Sequence, residues 1–581
     1  MATSLGKRQS RKRRSSKSSV DIKEKLAKKR KAKETRKKIM GLMGFSLFFA
    51  ILVGVPLGFT ISPKIGASVG LLIPLLVICY NYPRTALWAF LIYMPFSGTV
   101  TYWIGGGNAL FQLSKDGFYI PGLLGLMQYC RRKRQAIFVS KPLLITLGIL
   151  TTCALLTLFF VNGTKQFLPE CSSLSEYDRF LRDANGEFIL NSDGVVIRTP
   201  CKNAIPFAQG ILGLKVLLGY VPLIFCGYYL IKDKKQLLFL GRLLVVLAII
   251  CCGLAFIQFW LLKTGRCQGT NHLVGNDLFK PTLDAKCFVG GAALYSPSQG
   301  QIRLPGTFVS PWHWAWFLVA NAAICFSVAF SDTAFFWRNC GLAGMAMVFI
   351  NAVICGQRLA LAVVPAVIIV MLFLTGKITD LKRFIPIGIG LSVFLFIGFS
   401  LINPDFIQER IDSFVSRWNA SPPYLFILEQ FDFAIRTQSG ILGRGLGGAT
   451  NSTRIFGDVS LVETYHPKLL FEIGYPGLIA FMIFVTHLCL VTFKTYRSLK
   501  DQCLRNFASG FWVFLMIISY FPYWYPLDTD PVAVYYWLFA GVILKLPVID
   551  KEEQAKLKAQ KATQDALKKR VKSQRRTPSV I

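Results

Sequence analysis

The stretch IMGLMGFSLFFAILVGVPLGF, residues 39–59, decides how the rest of the chain is read. It follows a basic tail as the core of a signal peptide would. It is too long for one and has no small-residue cleavage site, so it reads as an uncleaved first membrane span. Outward from it, apolar runs recur at 64–81, 85–104, 117–130, 142–161, 207–231, 239–262, 311–330, 339–356, 358–375, 384–402, 473–493, 506–522 and 532–547. Together they make about fourteen spans, most of them near the length a helix needs to cross a bilayer core. The expected fold class is all-α: a polytopic integral membrane protein with roughly 14 transmembrane helices and a short helical outer-face subdomain.

The composition points the same way. Of 581 residues, 53% are apolar and 17% charged, a balance that excludes the soluble enzyme classes. A formal charge of +36 would suggest nucleic acid in a soluble protein. More than half of it sits in the two tails, 1–38 and 548–581, which suit anionic lipid; no nucleic-acid partner is expected. If the first tail is cytoplasmic, the basic clusters at 131–134, 232–235, Lys377 with Lys382 and Arg383, and Lys494 with Arg497, Lys500 and Arg505 all fall on the same side. The long polar loops 162–206, 263–310 and 403–472 then all face outward. The expected plan is a tail 1–38, a transmembrane region 39–402 with two outside loops, a large outside catalytic loop 403–472, transmembrane helices 473–547 and a tail 548–581. Both termini are expected in the cytoplasm, the membrane to be the inner (plasma) membrane, and the site to lie on its outer face.

Most of the 15 cysteines lie in apolar runs as small hydrophobes. Cys171 with Cys201, and Cys267 with Cys287, instead fall pairwise within outside loops, where disulfides and free thiols are both open readings. Asn162, Asn419 and Asn451 begin Asn-x-Ser/Thr triplets, which matter only in a cell that glycosylates them.

No Walker loop, HExxH, GxSxG or dinucleotide fingerprint occurs, so attention falls on charged residues at the outside ends of spans. RLPGTFVSPWHWAWFL, residues 303–318, brings Arg303 to the mouth of a span, where a half-dehydrated guanidinium can grip an anion. Its Trp312, Trp314 and Trp316 read as interfacial anchors. Arg358, in CGQRLAL, lies between two apolar runs, where an ionisable group is costly and points to function. Arg410, Arg417, Arg436, Arg444 and Arg454 gather in the third outside loop, with GILGRGLGGATNS at 440–452, whose glycines would let backbone amides approach an anion. His466 meets both water and membrane and is the expected proton carrier; His313 is its rival, while His272 lies mid-loop and His487 inside a span. Glu463 or Glu472 are alternatives to it, and a helix over 463–472 would set Glu463 and His466 on one face. Asp528 and Asp530, in PLDTDPV, form the weak alternative of a metal site; otherwise no metal and no cofactor is expected.

In this order the features resemble the O-antigen ligase and polymerase superfamily. Lys115 and Asp116 stand in LSKDGFYIPGLLGLM before an early span, Arg303, Gly306 and Phe308 form an Arg-x-x-Gly-x-Phe element, and His466, Leu469 and Gly474 to Gly477 close the pattern. Around Arg358 the family's Ser-Arg-Gly is changed, with Gln357 for the Ser and Leu359 for the Gly, and Pro467 stands where Asn is common. The basic tails resemble those of cyanobacterial hormogonium and exopolysaccharide biosynthesis proteins, which favours a polymerase over a ligase. The resemblance implies a GT-C-like fold and a metal-independent, inverting transfer of glycan from a polyprenyl-diphosphate donor to an acceptor hydroxyl. Arg303, Arg358, Arg444 and Arg436 would then face the diphosphate, and His466 or Glu463 the acceptor proton. The expected partners are the lipid-linked donor, the glycan acceptor, membrane lipid and envelope polysaccharide export machinery. A lipid-linked glycan flippase, whose arginines would bind without chemistry, and a membrane scaffold are the rival classes.

Overall fold

The computed structural model describes residues 40–60, 63–107, 114–137, 140–175, 201–202, 204–273, 282–296, 301–377, 421–438, 440–523 and 526–574, with scattered positions between them. The expected span 384–402, Arg410 and Arg417 lie outside the described residues. The chain divides into two compact units, Met1–Phe90 with Ser114–Lys133, and Leu91–Leu113 with Arg134–Ile581.

The first unit contains α1 (Met40–Thr60), α2 (Pro63–Asn81), most of α3 (Pro83–Tyr93) and α4 (Asp116–Arg132). Small residues set its packing: a Cβ on Gly54 would lie 2.8 Å from the Gly66 carbonyl, so α1 and α2 meet backbone to backbone. Such contact replaces the hydrophobic drive that lipid does not supply. Arg84 of α3 lies over the Tyr129 ring of α4 at 5.5 Å.

The second unit holds α5 (Lys141–Lys165), α6 (Pro206–Leu218), α7 (Leu223–Leu230) and α8 (Lys234–Lys263). Four short strands follow, β1 (Lys286–Cys287), β2 (Val289–Ala292), β3 (Leu294–Ser296) and β4 (Gln301–Arg303), paired antiparallel as β1–β2 and β3–β4. Then come α9 (Pro311–Ser331), α10 (Phe335–Ile354), α11 (Arg358–Leu374), α12 (Pro423–Thr437), α13 (Tyr465–Ser498), α14 (Gln502–Tyr520) and α15 (Asp530–Gln574). Apart from these small hairpins the fold is helical. Among the described residues nine helices are long and apolar enough to cross a membrane, which makes this a helical membrane protein.

Helix α9 is the hub. Every residue from Trp314 to Ala329 is buried, and α8, α10, α11, α14 and α15 pack around it. A helix apolar on all sides is stable only inside such a bundle. Trp314 and Trp316 are therefore core residues and not the interfacial anchors expected of them; Trp314 stacks on Phe317 at 5.4 Å. Where α8 and α14 begin, Lys234 pairs with Asp501 at 2.7 Å and Asp550 of α15 accepts from the Lys500 and Asp501 amides. Arg242 grips Asp332 with two hydrogen bonds, at 2.7 and 2.8 Å. Charge-assisted and bidentate bonds of this kind fix helix ends that apolar packing alone would leave free to slide.

Helix α13 starts at Tyr465, eight residues before the expected span at 473, and so takes the end of the expected outside loop 403–472 into the bundle. Its segment up to Ile473 is buried, and Gly474, at φ +68°, breaks the helix where a continuous apolar run had concealed the kink.

Candidate functional site

The site begins with a turn against a strand. Leu304, next to Arg303 at the end of β4, donates its amide to the Cys355 carbonyl at 3.1 Å. Gly356 has φ +70°, and a Cβ there would run into the Ile302 carbonyl, so only glycine lets the 355–357 turn lie against β4. Arg358 then opens α11. Arg303 and Arg358 are thus brought together across a gap of fifty-odd residues that the sequence gives no direct means of closing. Burial, and after it the Arg358 charge, push Arg303 below its ordinary value, while Tyr523 and Glu463 act in the opposite sense. A guanidinium stays charged through such a shift.

A small apolar core carries this corner: Phe259, Leu262, Cys287, Ala293, Ile302, Leu304 and Ile354. At its centre Gln258 of α8, fully buried, donates to the Cys287 and Val289 carbonyls at 2.9 and 2.7 Å and accepts from the Gly306 amide at 3.2 Å. One side chain so ties the β1–β2 hairpin to the turn that follows Arg303. Cys267 and Cys287 are joined as a disulfide in the same core, and Cys171 and Cys201 are joined in the preceding loop.

The opposite wall comes from late in the chain. Thr464 and Tyr523 form an antiparallel bridge, and the Tyr465 amide donates to the Pro522 carbonyl at 2.6 Å. Glu463 is held through its amide by Gln430 of α12 at 2.7 Å, and burial pushes its carboxyl above the ordinary range although Arg303 pulls it down. Phe426 of α12 meets Tyr523 edge to face at 5.8 Å, and Arg358 Nη1 makes a long contact, 3.5 Å, to the Ser421 carbonyl. Thr464 has extended φ/ψ ahead of the helix, so Glu463 and His466 do not share the helical face expected of them. His466 Nε2 instead lies 3.2 Å from the Ser519 carbonyl, and its ring packs with Tyr465 and Phe481. A carbonyl only accepts, so Nε2 carries the proton and Nδ1 is the basic nitrogen.

The other arginines stand apart. Arg444 lies over the Phe471 ring at 5.8 Å, with Lys165 donating to its carbonyl. Arg436 is exposed and pairs with Asp432 at 2.8 Å, one turn away on α12. Arg454 bonds within its own turn, to Asn451 Oδ1 at 2.9 Å. Lys115 and Asp116, at the start of α4, belong to the first unit.

Part of the glycine-rich loop is bonded into the protein. The Arg444 and Gly445 amides donate to the Phe471 and Glu472 carbonyls, Leu446 to Asn162 Oδ1 and Ala449 to Glu472 Oε1, so these four amides are spent inside the protein. Its glycines serve close packing: a Cβ on Gly443 would sit 2.6 Å from the Gly474 amide. Asn162, buried and bonded to the Pro206 and Leu446 carbonyls, is closed to glycosylation.

Bonded to the loop through Glu472 lies a second charged group. Lys468, 2% exposed, forms an ion pair with Asp528, and Glu472 accepts from Ala449 and Thr450. Asp528 is thereby committed to an ammonium rather than offered to a metal, and Asp530 lies in the first turn of α15. Among the described residues no group of three or more His, Cys, Asp or Glu converges as metal ligands. Gln258, Tyr523 and Lys468 were not singled out from the sequence; a glutamine within an apolar span was the available signal for the first.

Compared with known families and with curated proteins, the chain matches no family model and no curated relative.

Proposed function

We propose that this is a membrane glycosyltransferase that moves glycan from a polyprenyl-diphosphate carrier to an acceptor hydroxyl, polymerising repeat units of an exopolysaccharide or O-antigen without a metal. The observation that carries the reading is the Arg303–Arg358 pair, two guanidinium groups with Glu463 as the acid coupled to Arg303, mounted on a bundle of apolar helices. In the reaction the bond between the anomeric carbon and the diphosphate oxygen breaks, with its electron pair staying on the diphosphate. The acceptor oxygen bonds to the carbon from the opposite face, and its proton goes to a base. Charge grows on the leaving group as this happens, so cations fixed beside it favour the transition state over the ground state.

Glu463 takes the proton in this reading, because its carboxyl is coupled to Arg303 and burial makes it a stronger base than an ordinary carboxylate. His466, through Nδ1, is the second candidate. About fourteen spans, with both basic tails in the cytoplasm and the arginine corner on the outer face of the inner membrane, complete the proposal. The donor, the glycan acceptor and the export machinery are its partners. Ligation to a lipid or protein acceptor is the nearest variant.

The test is a transfer assay with purified protein in lipid vesicles, a polyprenyl-diphosphate oligosaccharide and a chelator. Lengthening of the glycan by the wild type and its loss in Arg303→Ala would support the proposal. Glycan that crosses the bilayer without being extended would replace it with transport.

A further inference from the structure

We infer that α12 is an interfacial helix, with Tyr424, Leu428 and Ile435 seated in the acyl chains of the leaflet that α13 enters; the inference stands apart from the reaction proposed above. These three side chains, at spacings of four and seven residues, share one face of the helix and are 60%, 61% and 50% exposed. A face so apolar is costly to leave in water. The next face carries Glu429, Asp432 and Arg436, all exposed, the last two paired with each other. The third turns inward: Ala434 is fully buried, Phe433 stacks on Phe471 of α13 at 6.3 Å, and Gln430 and Phe426 meet Glu463 and Tyr523. Apolar, charged and protein-facing sectors side by side are the pattern of a helix lying along a membrane surface.

What covers the apolar face follows from its depth. Phe431 and Ala434 share an apolar cluster with Leu470, Phe471 and Leu478 of α13. Leu478 lies within the apolar run 473–493, about 7 Å past its start at the rise of a helix, and the membrane boundary falls near that start. The chain leaving α12 stays at this level: a Cβ on Gly474 would run into the Ile441 carbonyl, and the Ile441 side chain is exposed beside it. Interfacial helices bury their apolar face by about 5 to 10 Å, so α12 sits where acyl chains begin. A second copy of this chain is a poorer occupant, because three side chains fall far short of the roughly 20 to 30 residues a side of a stable interface. The wall that holds Glu463 is in this way set at the level of the lipid headgroups.

The experiment places the photoreactive p-benzoylphenylalanine at Leu428, Glu429 or Leu490 of the full chain, purified and reconstituted alone in phosphatidylcholine vesicles. Phospholipid adducts are read by intact mass after illumination. Leu490, exposed on α13 well inside the span, sets the yield of a lipid-facing position. The probe at Leu428 is expected to reach that yield within about twofold, and the probe at Glu429 to fall about fivefold or more below it. If the probe at Leu428 disturbs the fold, judged by melting, Tyr424 carries the same comparison, one aromatic side chain replacing another. Cross-linked dimers at Leu428 without lipid adducts would give the face to a second copy and overturn the inference. Equal, low lipid yields at Leu428 and Glu429 beside a full yield at Leu490 would overturn it as well.

Discussion

The corner around Arg303 and the cluster around Lys468 are made of the same kinds of side chain, and they place their cations differently. In the corner the Arg358 charge opposes that of Arg303, while Tyr523 and Glu463 act on Arg303 in the other sense. In the cluster one ammonium meets two carboxylates, Asp528 and Glu472, and the protein satisfies them itself: Lys468 pairs with Asp528, while the Ala449 amide and the Thr450 hydroxyl bond to Glu472. The cluster ties α13 to the glycine-rich loop and to the turn before α15, so its charges hold the fold. In the corner two guanidinium groups lie near enough to repel one another, a placement that suits the anionic ligand proposed. A buried charge is thus not a sign of function until its partners have been counted.

The difference can be broken first at the arginines. Arg303→Ala or Arg358→Ala should lower transfer by about a thousandfold or more, as loss of a fixed charge at a leaving group does. Melting without ligand should fall by less than transfer does, because the repulsion between the two cations offsets part of what each contributes to the fold. A large loss of stability in Arg303→Ala would erase the contrast. Lys468→Met should do the reverse, costing roughly 3 kcal/mol in chemical unfolding because buried Glu472 and half-buried Asp528 lose their cation.

Gln258→Leu tests the mount between these extremes. Leaving the Gly306 amide and two carbonyls unmet should cost about 1 to 3 kcal/mol, with transfer falling further than stability alone explains because the Arg303 turn is released. Glu463 sharpens the account through pH. As a base it must be ionised, so transfer should fall on acidification along a limb that lies above the ordinary carboxylate range, and Glu463→Gln should remove that limb. For stability the sign is opposite: with its pKa raised by burial, Glu463 holds a proton more tightly folded than unfolded. Its contribution is full below the ordinary range and is lost as pH rises through the raised value, so Glu463→Gln should be the more stable protein at neutral pH. The smallest effect belongs to Arg436→Ala, an exposed pair with Asp432, which should alter stability by about 0.5 kcal/mol or less and transfer not at all.

Much of the helical architecture was legible because bilayer crossing imposes length and apolarity on each segment. The runs at 39–59, 311–330 and 506–522 correspond to α1, α9 and α14 within a few residues. What escaped depends on contacts across the fold. The early start of α13 and its break at Gly474 are hidden in an apolar run, since composition records neither φ nor kink. Trp314 and Trp316 looked interfacial because aromatic residues near a span end have that default, and only packing around α9 makes them core. The loop at 440–452 has the composition of an anion cradle, but four of its amides are taken by Phe471, Glu472 and Asn162 from distant segments. Arg303 and Arg358 were legible one at a time; the Gly356 turn that joins them, and the Gln258 mount beneath, are matters of tertiary contact.

The most direct measurement is a structure of the protein in lipid with a non-hydrolysable polyprenyl methylenediphosphonate. The account requires the diphosphonate to lie between Arg303 and Arg358, with Glu463 on the side open to an acceptor. A diphosphonate bound instead beside Lys165 and Arg444, or absent from the arginine corner at saturating ligand, would contradict it.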